Sequence, residues 1–137
     1  YKGYHSDMTR TVCVGEPTDE MLKVYNIVLK AQNAAISYAK AGITGSELDN
    51  VARTIIKENG YGNCFGHSLG HGVGMEIHEF PNASSKSNHI LRENEIVTIE
   101  PGIYIPGKFG VRIEDFVVLT KESCINITKC EKNILFL

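Results

Sequence analysis

No apolar run in the sequence approaches the roughly 20 residues that a bilayer-spanning helix requires, so neither a spanning helix nor a membrane partner is expected. Charge of one sign does not dominate either. Fourteen Lys and Arg stand against sixteen Asp and Glu, a net charge of −2, which gives no indication of nucleic acid as a partner. Cys13, Cys64, Cys124 and Cys130 form no CxxC pair and no small disulfide scaffold. Reduced thiols in a cytoplasmic setting are therefore expected. Internal repeats and domain linkers are also missing. The 137 residues amount to one domain's worth of chain, long enough to bury a core. Finally, the sequence opens on Tyr1 rather than Met, inside an expected strand, and a fragment of a longer protein is expected.

What the sequence does hold is concentrated in one stretch. Three of the five histidines, His67, His71 and His78, fall within twelve positions. His67 and His71 are spaced to share a helix face, as in helical zinc sites. Gly66, Gly70, Gly72 and Gly74 oppose that geometry, since each would cost about 1 kcal/mol relative to Ala inside a helix. An irregular or extended segment threading a crowded site is the better expectation, with residues 75–78 leaving it as a strand. On this stretch alone, three unrelated histidines in a glycine-rich loop explain the pattern as well.

The flanking chain supplies carboxylates. Residues 4–12 read as a strand, and alternation puts His5, Asp7, Thr9 and Thr11 on one polar face; a solvated edge strand would look the same. Two amphipathic helices follow, over 18–41 and 44–59. Thr18 caps the first, and Thr44-Gly45-Ser46-Glu47 is a capping box for the second. Both read as scaffold without chemistry of their own. A polar loop covers 82–89. Residues 95–102 form an apolar strand closed by Glu100 and Pro101, and 111–119 alternate so that Arg112 and Glu114 share a face opposite Val111 and Ile113. Charges in such runs are costly to bury unless paired or bound to metal. Residues 124–137 suggest a terminal hairpin.

Taken together, Asp7, His71, Glu100 and Glu114 make a hard, oxygen-rich ligand set, suited to Mn²⁺, Co²⁺, Zn²⁺ or Fe²⁺ in expanded coordination. Three buried negative charges exceed what one divalent ion neutralises, and a bridged pair of ions fits better.

At this point the motifs become recognisable. Tyr-x-Ser-Asp-x-Thr-Arg-Thr, His-x-x-Gly-His-Gly-x-Gly-x-x-x-His-Glu, Thr-Ile-Glu-Pro-Gly-Ile-Tyr and Val-Arg-Ile-Glu-Asp follow in order between Tyr4 and Asp115. This series resembles the pita-bread metallopeptidases, and within them the proline-specific branch of Xaa-Pro dipeptidases and aminopeptidases P. The resemblance implies an α/β (α+β) pita-bread fold, a curved, mostly antiparallel sheet with helices outside. It implies that residues 1–137 are the carboxy-terminal part of a catalytic domain. It also implies two divalent metal ions, Mn first and Co, Zn or Fe otherwise. Asp7, His71, Glu100 and Glu114 would be metal ligands, with Asp7 touching both ions and Glu114 bridging them. Glu100 would double as general base for a metal-held hydroxide, His78 would steady the tetrahedral intermediate, and His67, Tyr104 and Arg112 would line the substrate site. The implied substrate is a peptide with proline after its first residue, and the implied assembly is a homodimer. A fifth ligand, an aspartate in a D-x-G context, would lie just upstream of Tyr1, so the chain alone is expected to be inactive. Methionine aminopeptidases share the fold but typically carry Gln where Arg112 stands and lack the Pro-Gly-Ile-Tyr that follows Glu100. A non-catalytic binding module, or a metal-free hydrolase of the creatinase type, would be expected to lose ligands that are present here.

Overall fold

The computed structural model describes all residues from Tyr1 to Leu137. Two helices form where the apolar spacing and caps put them. The first, α1, spans Asp19–Tyr38; Thr18 accepts from the Met21 amide, and Asp19 and Glu20 sit at the positive end of its dipole. The second, α2, spans Gly45–Glu58 and starts with a reciprocal capping box between Thr44 and Glu47. Gly42, with φ of +89°, turns the chain between them in a conformation that side-chain-bearing residues avoid. Val24, Val28, Ala31 and Ala35 of α1 are fully buried, as are Leu48, Ala52 and Ile56 of α2. They share one hydrophobic core with Leu69, Leu91, Ile99, Ile103, Ile113 and Leu119. Each such large side chain contributes about 1.5–3 kcal/mol by leaving water.

The strands are short, and all but one of their pairings is antiparallel. They are β1 (Val12–Cys13), β2 (Gly70–Gly72), β3 (Glu79–Ala83), β4 (Ile96–Ile99), β5 (Gly102–Ile105), β6 (Phe109–Arg112), β7 (Asp115–Leu119), β8 (Cys124–Asn126) and β9 (Leu135–Phe136). Pairing joins β2 to β3, β5 to β6, and β4 to β7 to β8, while β1 and β9 run parallel. The chain at Glu100 and Pro101 lies between β4 and β5, and Ile113 and Glu114 lie between β6 and β7. At the first break Pro101 has no amide to donate, and the Glu100 amide donates instead to the Leu69 carbonyl.

Four expectations are corrected. Residues 111–119 do not form one strand: β6 ends at Arg112 and β7 starts at Asp115, with Glu114 in an isolated bridge to Thr9. Residues 4–12 do not form a continuous strand: only Val12 and Cys13 enter a ladder, with an isolated bridge from Thr9 to Glu114. Hydroxyls replace part of the ladder, as Thr11 Oγ1 both donates to the Arg112 carbonyl and accepts from its amide. Residues 75–78 bend rather than extend, and pairing resumes only at Glu79. The cause is local: the Glu79 carboxylate accepts from the Glu76 amide, and the Gly74 amide donates to the Glu76 carbonyl. Residues 124–137 are not a hairpin. β8 joins β7 and β9 crosses to β1, partners that local sequence does not reveal.

Candidate active site

The seam between β2, the β4–β5 break, the β6–β7 break and the segment before β1 collects the expected residues. Asp7, His71 and Glu114 each present a ligand atom within 4.8 Å of the other two. Glu100 joins them through Oε1, 3.1 Å from His71 Nε2, while Asp7 Oδ2 is 3.7 Å from the same nitrogen. Glycine makes the approach possible at β2. A Cβ on Gly70 would collide with the Thr98 carbonyl, and one on Gly72 with the Phe80 carbonyl, so the strand carrying His71 presses against its neighbours only because these positions have no side chain.

Two threonines hold the carboxylates in place. Thr98 Oγ1 accepts from the His71 amide at 2.9 Å and donates to Glu100 Oε1 at 3.1 Å. Thr9 Oγ1 donates to Glu114 Oε2 at 2.6 Å and accepts from Arg112 Nε at 3.0 Å. Sequence reasoning gave neither a role. Thr9 lies inside the first motif and Thr98 opens the third, and hydroxyls two residues from ligands on alternating chain were the available signal. On the open side, His67 Nε2 lies 2.9 Å from the Tyr104 hydroxyl, and Arg112 Nη1 reaches the same oxygen at 3.4 Å. The exposed His78 ring stands 4.3 Å from that of His71, centroid to centroid. His5, on the same expected face as Asp7, is exposed and joins the site only through its amide, which donates to the Gly74 carbonyl.

Burial pulls the His71 imidazole down, but its bonds to Glu100 and the Gly72 carbonyl and the nearby carboxylate charges leave it above the ordinary histidine range. Burial pushes Glu100 up, yet His71 and the Thr98 hydroxyl outweigh it and hold the carboxyl below its usual value. Glu114 has no such rescue. Burial, with Glu100 and Asp7 nearby, overcomes the Thr9 hydrogen bond and Arg112 and takes it up to about 7. Three carboxylates facing one imidazole leave negative charge that the chain's own cations do not balance, and that surplus, with its oxygen-rich donor set, fits divalent cations.

The sequence model of metallopeptidase family M24 matches residues 1–121. The Xaa-Pro dipeptidase of Pyrococcus horikoshii is 52% identical over 135 residues, covering 98% of this chain and 38% of that protein. Among solved structures, a Xaa-Pro dipeptidase from Bacillus anthracis superposes with a TM-score of 0.99 at 52% identity, covering 100% of this chain and 39% of that one. The X-Pro aminopeptidase from Thermotoga maritima gives 0.98 at 51%, covering 100% and 38%. Likeness at this level defines the class: the fold is the pita-bread fold of the prolidases, with helices backing antiparallel strand pairs. The chain belongs to metallopeptidase family M24, a family name that implies divalent metal ions. It spans under two fifths of the length of the relatives it matches.

Proposed function

We propose that the full-length protein is a metal-dependent peptidase that hydrolyses the bond between an amino-terminal residue and proline, working as a cytoplasmic homodimer. The observation that carries this reading is the convergence of Asp7, His71 and Glu114 within 4.8 Å, with Glu100 at 3.1 Å from His71, in a chain about half identical to Xaa-Pro dipeptidases. Two divalent ions, manganese first and cobalt, zinc or iron otherwise, suit the four donors. Bound ions would supply Lewis acidity and an activated water.

The remaining work falls to the chain. Glu100, oriented by the Thr98 hydroxyl that donates to its Oε1, takes a proton from the attacking water and passes it to the leaving proline nitrogen. His78, beside His71, donates to the oxyanion as the carbonyl becomes tetrahedral. His67, Tyr104 and Arg112, linked through the Tyr104 hydroxyl, orient the peptide. Methionine aminopeptidase is the rival activity on this fold; Arg112 and the Pro101-Gly102-Ile103-Tyr104 run favour the proline branch.

In the full-length protein, Glu100→Gln should leave the fold intact and cut turnover of an Ala-Pro peptide by at least about 10²–10³, the scale of losing one oxyanion donor. More than a tenth of wild-type activity would remove Glu100 from the mechanism. The resemblance implies a fifth ligand upstream of Tyr1, so the 137-residue chain by itself should fold, hold little metal and be inactive. Metal content by mass spectrometry with an Ala-Pro assay checks this, and two tightly bound ions with normal turnover would contradict it.

A further inference from the structure

The helix α2, expected to be plain scaffold, carries a fully buried carboxylate. Asp49 lies beside Leu48 in the apolar stripe, with no exposed surface. Arg53, one turn on, grips it with two bonds: Nε to Oδ2 at 2.6 Å and Nη2 to Oδ1 at 2.9 Å. An i,i+4 ion pair needs no more than this to support a helix. Here the pair does more. Arg53 Nη1 also donates to the Phe65 carbonyl at 3.0 Å and Nη2 to the His67 carbonyl at 2.8 Å. Asp49 Oδ1 accepts the Leu69 amide at 3.0 Å. One ion pair thus holds the backbone of Phe65, His67 and Leu69, alternate residues of a segment that lies before β2 and has no ladder of its own.

The side chains continue the arrangement. The guanidinium carbon sits 4.2 Å from the Phe65 ring centroid, and the Phe65 ring meets the His67 ring edge-on at 5.0 Å. His67 in turn bonds the Ser68 carbonyl through Nδ1 and the Tyr104 hydroxyl through Nε2. The Leu69 carbonyl accepts the Glu100 amide at 2.8 Å. A buried carboxylate held this way is costly unless every lone pair is used, and here the extra partners all belong to the loop that presents His67.

Resting on the reading of His67 as a substrate-side residue, we propose that Asp49 and Arg53 are positioning residues: a clamp on α2 that sets the His67 ring against Tyr104 and thereby the peptide's place in the site. The planar fork of Arg is what the clamp requires. Lysine would keep the charge opposite Asp49 but cannot span two carbonyls and a carboxylate together.

The test uses the metal-loaded, full-length protein. Arg53→Lys should lower kcat/KM for Ala-Pro by about 10–100-fold, the scale of a small misplacement of a positioning group, with metal content unchanged. In a His67→Ala background the same change should cost almost nothing more, because Arg53 acts through His67. Wild-type kcat/KM in Arg53→Lys, a full additional loss in the His67→Ala background, or a silent His67→Ala would each overturn the proposal. Should the unmutated protein not cleave Xaa-Pro peptides, the functional reading fails by itself. Hydrogen exchange then judges the clamp: amides 66–69 should exchange faster in Arg53→Lys than in the wild type, and unchanged exchange there would overturn it.

Discussion

Glu114 and Asp115 are neighbours in the chain, almost fully buried, and surrounded by opposite electrostatics. Asp115 points away from the site, where Arg10 reaches Oδ1 at 2.7 Å, and Lys132 and Asn126 reach Oδ2 at 2.6 and 2.7 Å. Burial alone would raise its pKa, but Lys132, Arg10 and Asn126 hold it below the usual carboxylate range. Glu114 receives one neutral donor, the Thr9 hydroxyl, faces two further carboxylates, and titrates near 7. Equal burial with unequal compensation separates two roles. A carboxylate whose charge the protein itself balances holds structure together; one whose charge it leaves unbalanced is prepared for a ligand. Arg10 connects the two sides, because its Nη1 also donates to the carbonyls of Thr9 and Glu114. The structural carboxylate therefore braces the backbone from which the other projects.

Breaking the compensated side should have the largest effect on folding. Asp115→Asn leaves Arg10 and Lys132 facing a neutral partner, and removing one member of a buried pair costs about 3–5 kcal/mol. Urea unfolding of the full-length protein measures it, and a loss under 1 kcal/mol would show that the network is dispensable. The wild-type sign follows from the depressed folded-state pKa: the contribution is present above the unfolded value of about 3.9 and is lost as pH falls through the folded one. Acid destabilisation below about pH 4 should be weaker in the variant.

The uncompensated side should answer in the opposite sense. Glu114→Gln should weaken metal binding by at least the ~10–100-fold seen when groups supporting a metal site are lost, while leaving the metal-free protein no less stable. The raised folded-state pKa fixes the pH behaviour. Its contribution is full below the unfolded value of about 4.3 and is lost as pH rises through about 7. Metal-free wild type should therefore lose stability between pH 5 and 8 relative to the variant, read as the difference in their melting temperatures across that range. Parallel profiles would mean that Glu114 is compensated after all.

The same contrast explains what the sequence disclosed. The helices were legible because periodicity and caps are local: expectations over 18–41 and 44–59 meet Asp19–Tyr38 and Gly45–Glu58. Asp7, His71, Glu100 and Glu114 were legible from their motifs and their unusual placement on apolar or glycine-rich chain, and alternation put Arg112 and Glu114 on one side, where both touch Thr9. The balanced carboxylate was not. Asp115 looks like any acid in a strand until Arg10, 105 residues earlier, and Lys132 fold onto it. Asp49 and Arg53 stand four apart on a helix read only as scaffold, and the carbonyls that Arg53 holds belong to a loop whose path only the fold determines. The terminal hairpin failed for the same reason, since the partner of β9 is β1, at the far end of the chain.

The most direct measurement is hydrolysis by the full-length protein, stripped of metal and then reloaded with manganese or cobalt, of Ala-Pro and Met-Ala peptides in competition. The expected result is no cleavage without metal and preferential cleavage of Ala-Pro with it. Faster release from Met-Ala, or Ala-Pro cleavage that survives complete removal of metal, would contradict a metal-dependent, proline-specific centre built on Asp7, His71, Glu100 and Glu114.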